Sequence, residues 1–113
     1  MITIEKLKDF GADTDEGLAR CLNDESFYLM LVQSAITFEQ IDRLCEQTSV
    51  GDLDGAFETS HALKGVYANL SLTPLYQLVY ELTEQLRNKK NIDYGPLTAK
   101  LRERMEQLQA SAQ

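Results

Sequence analysis

The chain's only histidine, His61, lies in a segment whose residue types and spacing suit phosphoryl chemistry. Residues spaced i, i+3, i+4 and i+7 form one continuous strip on a helix, and here the strip is His61, Lys64, Gly65 and Ala68. Glycine inside a helix costs about 0.5–1 kcal/mol relative to alanine. Since no turn or helix end explains Gly65, we infer that its missing side chain leaves space for a partner to approach the imidazole.

The chemistry that this strip predicts is nucleophilic attack on phosphorus. An imidazole with its ordinary pKa of about 6.5 is mostly neutral near pH 7 and is then a good nucleophile. Lys64, one turn from His61, can bring positive charge to the incoming phosphoryl oxygens. The chain has neither G-x-x-x-x-G-K-S/T nor a kinase-type glycine loop, so the phosphoryl group must come from another protein.

Three residues nearer the N-terminus, Asp54, Phe57 and Glu58, extend the strip by one turn or more. Phe57 lies at the border of the exposed phase, so it belongs either to a docking surface or to the core. We expect the partner-binding surface to contain the following residues: Gly65, Ala68, Phe57 and Glu58.

Each of these residues also has an ordinary structural explanation. A lone helical histidine is commonly a plain surface residue, and Lys64 would then be a solvated lysine. Gly65 would instead mark a close approach between two helices. The outward phase of Gly65 argues against that last alternative.

Apolar residues recur at helical spacing along the whole chain, and no alternating strand-like runs are present. The predicted helices are Ile4–Phe10, Asp15–Leu22, a long third helix from Asp24 to about Ser49, Leu53–Leu70, and two more beginning near Thr73 and Asp93. Their predicted N-terminal caps are Asp13 (with Glu16, as a capping box), Asp24, Asp52, Thr73 and Asp93. Gly51 is a candidate for a left-handed helix end, and Pro74 and Pro96 suit first turns.

The predicted helices are amphipathic, which indicates how they pack. The third helix carries an apolar stripe at steps of four and three: Phe27, Leu31, Ser34, Phe38, Ile41 and Cys45. The face of the fourth helix opposite His61 is expected in the core: Ala56, Leu63, Tyr67 and Leu70. Because the predicted loops between long helices are short, neighbours should be antiparallel. We therefore expect an all-α, up-down antiparallel four-helix bundle with one or two short N-terminal helices.

Length and charge limit the class of protein. The 113 residues, 43% of them hydrophobic, are enough for one domain with a real core. A net charge of −7 without a lysine or arginine cluster argues against nucleic acids and acidic membrane surfaces as partners. No apolar run is long enough for a membrane span or a secretory signal, so we expect a cytoplasmic protein. Cys21 and Cys45 lack paired spacing and are expected to be reduced, with no metal site.

The segment Ser60-His61-Ala62-Leu63-Lys64-Gly65 resembles the H-x-L-K-G signature of histidine-containing phosphotransfer (HPt) domains of two-component phosphorelays. The resemblance extends to the stretch Asp13–Leu31 and to Ala68–Leu72 followed by Pro74 and a leucine-rich helix. It covers about residues 10–108 of a single predicted domain, 1–113. The start at Met1 and the lack of a linker favour a free-standing unit.

The resemblance implies a four-helix bundle in which His61 is phosphorylated by a receiver-domain aspartate or a hybrid histidine kinase. His61 would then pass the phosphoryl group to a response regulator. Lys64 would interact with that group, and Gly65 would give the receiver room. It also implies a monomeric phosphoryl carrier with no kinase activity and no cofactor of its own, since Mg²⁺ would be held by the receiver domain.

Two departures from the family pattern follow the motif. Val66 and Tyr67 stand where many members have small residues, and Ser71 replaces a frequent glycine. By its helical phase Tyr67 points inward, and Ser71 affects only the turn after the helix.

A different class of function also remains open, in which the same surface docks a signalling partner as a helical adaptor without being phosphorylated.

Overall fold

The computed structural model of the chain describes all 113 residues and contains helices but no strands. Seven helices follow one another along the chain: α1 (Ile4–Phe10), α2 (Thr14–Arg20), α3 (Glu25–Ala35), α4 (Glu39–Ser49), α5 (Leu53–Asn69), α6 (Thr73–Arg87) and α7 (Gly95–Ala112). The predicted all-α class is confirmed. None of the helices combines the length and apolar character needed to cross a bilayer.

Helices α4 to α7 form the bundle, each packing against the next, with α7 closing the ring against α4. The loops between them are short: residues 50–52, 70–72 and 88–94. Short loops make sequential helices antiparallel, so the predicted up-down bundle is confirmed. Three helices, rather than one or two, precede it: α1 packs on α7, and α2 packs on α1 and α3.

The prediction of one long third helix is wrong, because the chain breaks between Ala35 and Glu39 to give α3 and α4. The predicted stripe is wrong in its first half as well, since Phe27 is 43% exposed while Tyr28 and Val32 are buried. In an unbroken helix, Tyr28 and Ile41 would lie about 140° apart around the axis, on different faces. The break brings both inward: α3 buries Tyr28 and Val32, and α4 buries Ile41 and Leu44.

Three of the predicted N-terminal caps are confirmed. The carboxylates of Asp13, Asp24 and Asp52 accept hydrogen bonds from the third backbone N–H beyond them, at 3.2, 3.0 and 3.0 Å. Gly51 takes the left-handed backbone (φ 79°) that ends α4, as predicted. Bonding of the first free N–H groups explains why α2, α3 and α5 begin where they do.

The predicted caps of the last two helices need correction. Thr73 is not a cap, because α6 already includes it; the capping position is Leu72, and no side chain bonds the first turn there. At α7 the capping residue is Tyr94, although Asp93 accepts a 2.8 Å hydrogen bond from the Gly95 N–H just beyond it. Pro74 and Pro96 both lie in first turns, where a missing N–H is harmless.

Tyr28 joins the N-terminal helices to the bundle. Its side chain is fully buried, and its hydroxyl donates a 2.8 Å hydrogen bond to the Leu70 carbonyl at the end of α5. Its ring lies so close to α2 that a Cβ added at Gly17 would be only 2.6 Å from it. Glycine at position 17 therefore permits the contact by which α3 holds the C-terminal end of α5.

Candidate functional site

Helix α5 places the predicted strip on the outside of the bundle. His61 and Gly65 are exposed, while Lys64 and Ala68 are half-buried. The opposite face is buried, as predicted, and its side chains are Ala56, Leu63, Tyr67 and Leu70. Two polar residues, Thr59 and Ser60, are buried with them. The imidazole thus stands near the middle of a 17-residue helix whose other side is fixed in the core.

Gly65 has open space on its outer side. A Cβ built at this position would meet no atom within 4 Å, so packing against another helix does not require glycine here. Its backbone is ordinary helix and is absent from the positive-φ residues. The close-approach explanation of Gly65 is therefore wrong. No packing contact within the chain offsets the destabilisation that a mid-helix glycine causes.

Phe57 lies one turn before His61, and the two rings stack. Their centroids are 5.7 Å apart and their planes differ by 12°. The guanidinium of Arg87, on α6, lies 5.1 Å from the centroid of the same phenyl ring. Phe57 is half-buried, as its position between the exposed and buried faces of the helix suggests, and it contacts His61 and Arg87 at the edge of the bundle.

Lys64 lies against the neighbouring helix. Its ammonium nitrogen is 5.7 Å from the ring centroid of Tyr80 on α6, a cation–π arrangement. Tyr80 is 48% exposed, and its ring is also 6.0 Å from that of Tyr76. The ammonium is therefore held on the α6 side of the strip, one turn from His61.

A buried pair of hydroxyls fixes α5 against α6 directly beneath this surface. The hydroxyl oxygens of Ser60 and Thr83 are 2.6 Å apart, and that of Thr83 also donates to the Val79 carbonyl at 2.6 Å. Both side chains are fully buried. Such satisfied polar contacts hold one register between two helices, and this register brings Tyr80 and Arg87 to the strip.

The basic side chains that follow the α6 side of the site are paired with carboxylates. Arg87 is 3.4 Å from Glu84, and Lys89 is 3.5 Å from Asp54 at the start of α5. Glu58 is exposed on the other side of the strip. The imidazole therefore has ion pairs on its α6 side and one exposed carboxylate, that of Glu58, on the other.

Sequence reasoning missed both Tyr80 and Arg87 as neighbours of the strip. The sequence gives only an approximate signal for them, because α5 and α6 are antiparallel and joined by the short loop at 70–72. Tyr80 and Arg87 follow that loop by nearly the same number of residues as Lys64 and Phe57 precede it. Pairing residues at equal distances from the loop sets Leu78 and Gln85 opposite Lys64 and Phe57, two residues short of Tyr80 and Arg87.

Metal-binding side chains do not gather anywhere in the chain. No group of three or more histidine, cysteine, aspartate or glutamate side chains lies close enough to hold an ion. Both cysteines are free thiols: Cys21 is buried and Cys45 is half-buried.

A scan against family models matches the chain to the Hpt domain over residues 29–111. The chain belongs to the Hpt domain family. The predicted family resemblance is thereby confirmed, and with it a histidine phosphotransfer role in phosphorelays. Comparisons with curated proteins and with solved structures gave no match.

The Hpt match includes the bundle helices α4 to α7 and most of α3, but neither α1 nor α2. The strip around His61 lies inside it. Hpt domains interact with receiver domains of response regulators or kinases, so this family has a protein partner by its nature.

Proposed function

We propose that this Hpt domain carries a phosphoryl group on His61, taking it from the aspartate of a receiver domain or a hybrid histidine kinase and passing it to a response regulator. The observation that carries the proposal is the exposure of the chain's one imidazole beside a glycine with open space around it. The whole chain, 1–113, acts in this proposal as one monomeric, cytoplasmic phosphorelay unit.

The proposed transfer begins with the receiver's aspartyl phosphate placed against the imidazole. The lone pair of one ring nitrogen forms the new N–P bond as the P–O bond to the aspartate breaks, and the carboxylate leaves with that electron pair. The other ring nitrogen then loses its proton to solvent. Transfer to a response regulator is the same sequence in reverse, so the direction of flow depends on the partners.

Lys64 stabilises the phosphoryl oxygens in this proposal. Its ammonium is one turn from the imidazole and rests on the ring of Tyr80, so it is near the site and has no carboxylate partner within 4 Å. Phosphoryl transfer gains most from positioning and from charge near the oxygens, which a mobile ammonium can supply. Mg²⁺ is held by the acidic site of the receiver, and this chain supplies no ligand to it.

The receiver docks on the outer face of α5. Gly65 leaves room for it, Ala68 adds only a methyl group on the next turn, and exposed Glu58 lies at the side nearer the helix N-terminus, where Phe57 stacks on His61. A partner of the size of a receiver domain needs such a low, open surface because its own aspartate must come within bonding distance of the ring.

A labelling experiment tests the proposal. A purified receiver domain is first phosphorylated on its aspartate with labelled acetyl phosphate, and the excess reagent is removed. The chain is then added, and we expect acid-labile, base-stable label on the wild-type chain. His61→Gln should take up none while its far-ultraviolet circular dichroism is unchanged. Label on His61→Gln would reject the assignment, and receiver binding without label on the wild type would establish the adaptor function instead.

A matched pair of lysine variants tests the role of Lys64. Lys64→Ala should slow transfer at saturating receiver while leaving the receiver's affinity unchanged. Lys100→Ala removes an exposed lysine on α7, away from the site, and should transfer like the wild type. A loss of affinity alone in Lys64→Ala would show that Lys64 serves docking and not the reacting group.

A further inference from the structure

The stack of Phe57 on His61 is the one aromatic contact of the imidazole. Offset or parallel ring contacts at centroid distances of about 4.5–7 Å are favourable, and the separation of 5.7 Å lies within that range. Because Phe57 precedes His61 by one helical turn, helix α5 itself brings the two side chains within contact of each other. It is therefore present before any partner arrives.

The phenyl ring is itself held from the adjacent helix. Arg87 places its guanidinium 5.1 Å from the ring centroid, and Glu84, one turn earlier on α6, is 3.4 Å from Arg87. Phe57 is also packed against the hydrophobic core on its inner side. The ring is thus held by α5, α6 and the core, whereas the imidazole on it is exposed.

An exposed imidazole without such a neighbour would occupy several orientations. In a helix χ1 has two common wells, and χ2 of histidine is roughly two-fold, so about four orientations are available. Only some of them present a given ring nitrogen to a phosphorus atom that approaches above Gly65. A flat ring lying parallel to the imidazole favours the orientations that keep the two planes together.

We propose that Phe57 is a positioning residue that orients the His61 imidazole for attack, and that Arg87 holds Phe57 in place for this purpose. The inference rests on the proposed phosphotransfer function and assigns Phe57 a role in the rate of that reaction. It differs from a docking role, in which Phe57 would contact the receiver and contribute to its affinity.

The orientation of the ring can be measured on the free protein. His61 is the only histidine, so its two carbon-bound ring protons are assigned without ambiguity in an NMR spectrum. The ring current of a phenyl ring this close should shift them away from their values in an unfolded chain. In Phe57→Leu the shift should vanish, and in Phe57→Tyr it should persist. Wild-type protons at unfolded-chain positions would overturn the proposal without any variant.

Transfer kinetics separate positioning from docking. At saturating receiver, Phe57→Leu should transfer about two- to fourfold more slowly than the wild type. Without the phenyl ring the imidazole spreads over about four orientations, so a smaller fraction of molecules has the one needed for attack. Half-saturation should stay unchanged, and Phe57→Tyr should restore the rate. Arg87→Gln should fall between Phe57→Leu and the wild type.

The outcomes also distinguish this proposal from the function on which it rests. If the wild type carries label on His61 but Phe57→Leu transfers at the wild-type rate, the positioning role is wrong and the phosphotransfer function stands. If Phe57→Leu changes only the half-saturation, Phe57 is a docking residue. If the wild type takes up no label, the function itself has failed.

Discussion

Glycine at position 65 has two opposite effects: it leaves space for a partner to reach the imidazole, and it destabilises helix α5. A side chain there would meet no neighbouring atom, so glycine contributes nothing to packing inside the chain. A residue that weakens its own helix and has no partner in the fold is typical of a functional surface. The balance between the two effects can be measured one substitution at a time.

Gly65→Ala should stabilise the protein. The added methyl group enters open space, and alanine in a helix interior is favoured over glycine by about 0.5–1 kcal/mol. Urea denaturation should show an increase of that size in the free energy of unfolding. A decrease would mean that the backbone at Gly65 needs glycine for a structural reason.

Gly65→Leu should slow transfer from a receiver roughly tenfold or more, because a bulky side chain separates the reacting atoms. The bundle should remain folded, as judged by circular dichroism. Ala99→Leu, on an exposed site of α7, provides the control for adding the same side chain elsewhere. Equal rates for Gly65→Leu and the wild type would remove the steric argument.

The residues of the strip were predictable from helical phase, but their neighbours on α6 were not. Spacing alone put His61 and Gly65 outside and Tyr67 inside, as the structure has them. The contacts of Phe57 and Lys64 with Arg87 and Tyr80 depend on the register between two helices. Periodicity along one helix contains no information about that register.

At the scale of elements, the break between α3 and α4 shows why periodicity can mislead. No proline or glycine marks it, and apolar residues continue across it at steps of four and three. The adjacent β-branched residues Ile36 and Thr37 weaken the helix there, and Ser34 bonds back to the Leu31 carbonyl at 2.6 Å. What decides the break is burial of Tyr28 and Ile41 together, which is a property of the packed bundle.

In the turn between α5 and α6, Ser71 stands where the family frequently has glycine. Its backbone is left-handed (φ 54°), and its N–H bonds the Ala68 carbonyl while the Leu72 N–H bonds that of Tyr67. These two bonds define a Schellman helix end, whose left-handed position favours glycine. Ser71 thus takes the conformation of the family's glycine although its side chain opposes it.

Ser71→Gly should stabilise the protein by about 1 kcal/mol, because it relieves the left-handed strain of a residue with a Cβ. It also removes a buried hydroxyl that has no hydrogen-bond partner. Thermal or urea denaturation measures the change. Ser49→Gly, the same substitution in a right-handed helix, should destabilise; a loss of stability in both variants would contradict this account of the turn.

At the scale of the whole molecule, the N-terminal helices and the bundle are joined through a buried tyrosine. Burial, with smaller contributions from the negative charges of Cys21 and Asp13, raises the pKa of Tyr28 to about 12. Burial also raises the pKa of Tyr67. Because the folded state holds these phenol protons more tightly than the unfolded chain, their contribution is complete below pH ~10 and is lost as pH rises.

The free energy of unfolding should therefore fall between pH ~10 and 12, by at most about 1.4 kcal/mol per pH unit for each such tyrosine. Tyr28→Phe should be less stable near pH 8, since it leaves the Leu70 carbonyl without its donor, but its stability should fall less steeply with pH. Urea denaturation from pH 8 to 11.5 measures both effects. Equal slopes for the variant and the wild type would contradict a buried, protonated Tyr28.

The central claim is that His61 carries the phosphoryl group, and mapping that group on the intact protein tests it most directly. After a single transfer from a labelled receiver, tryptic digestion in mild base and mass spectrometry should place the label on the peptide of residues 44–64, which ends at Lys64 and contains His61. The label should disappear on brief acid treatment, as a phosphorus–nitrogen bond requires. Label that survives acid, or that maps to any other peptide, would contradict the account.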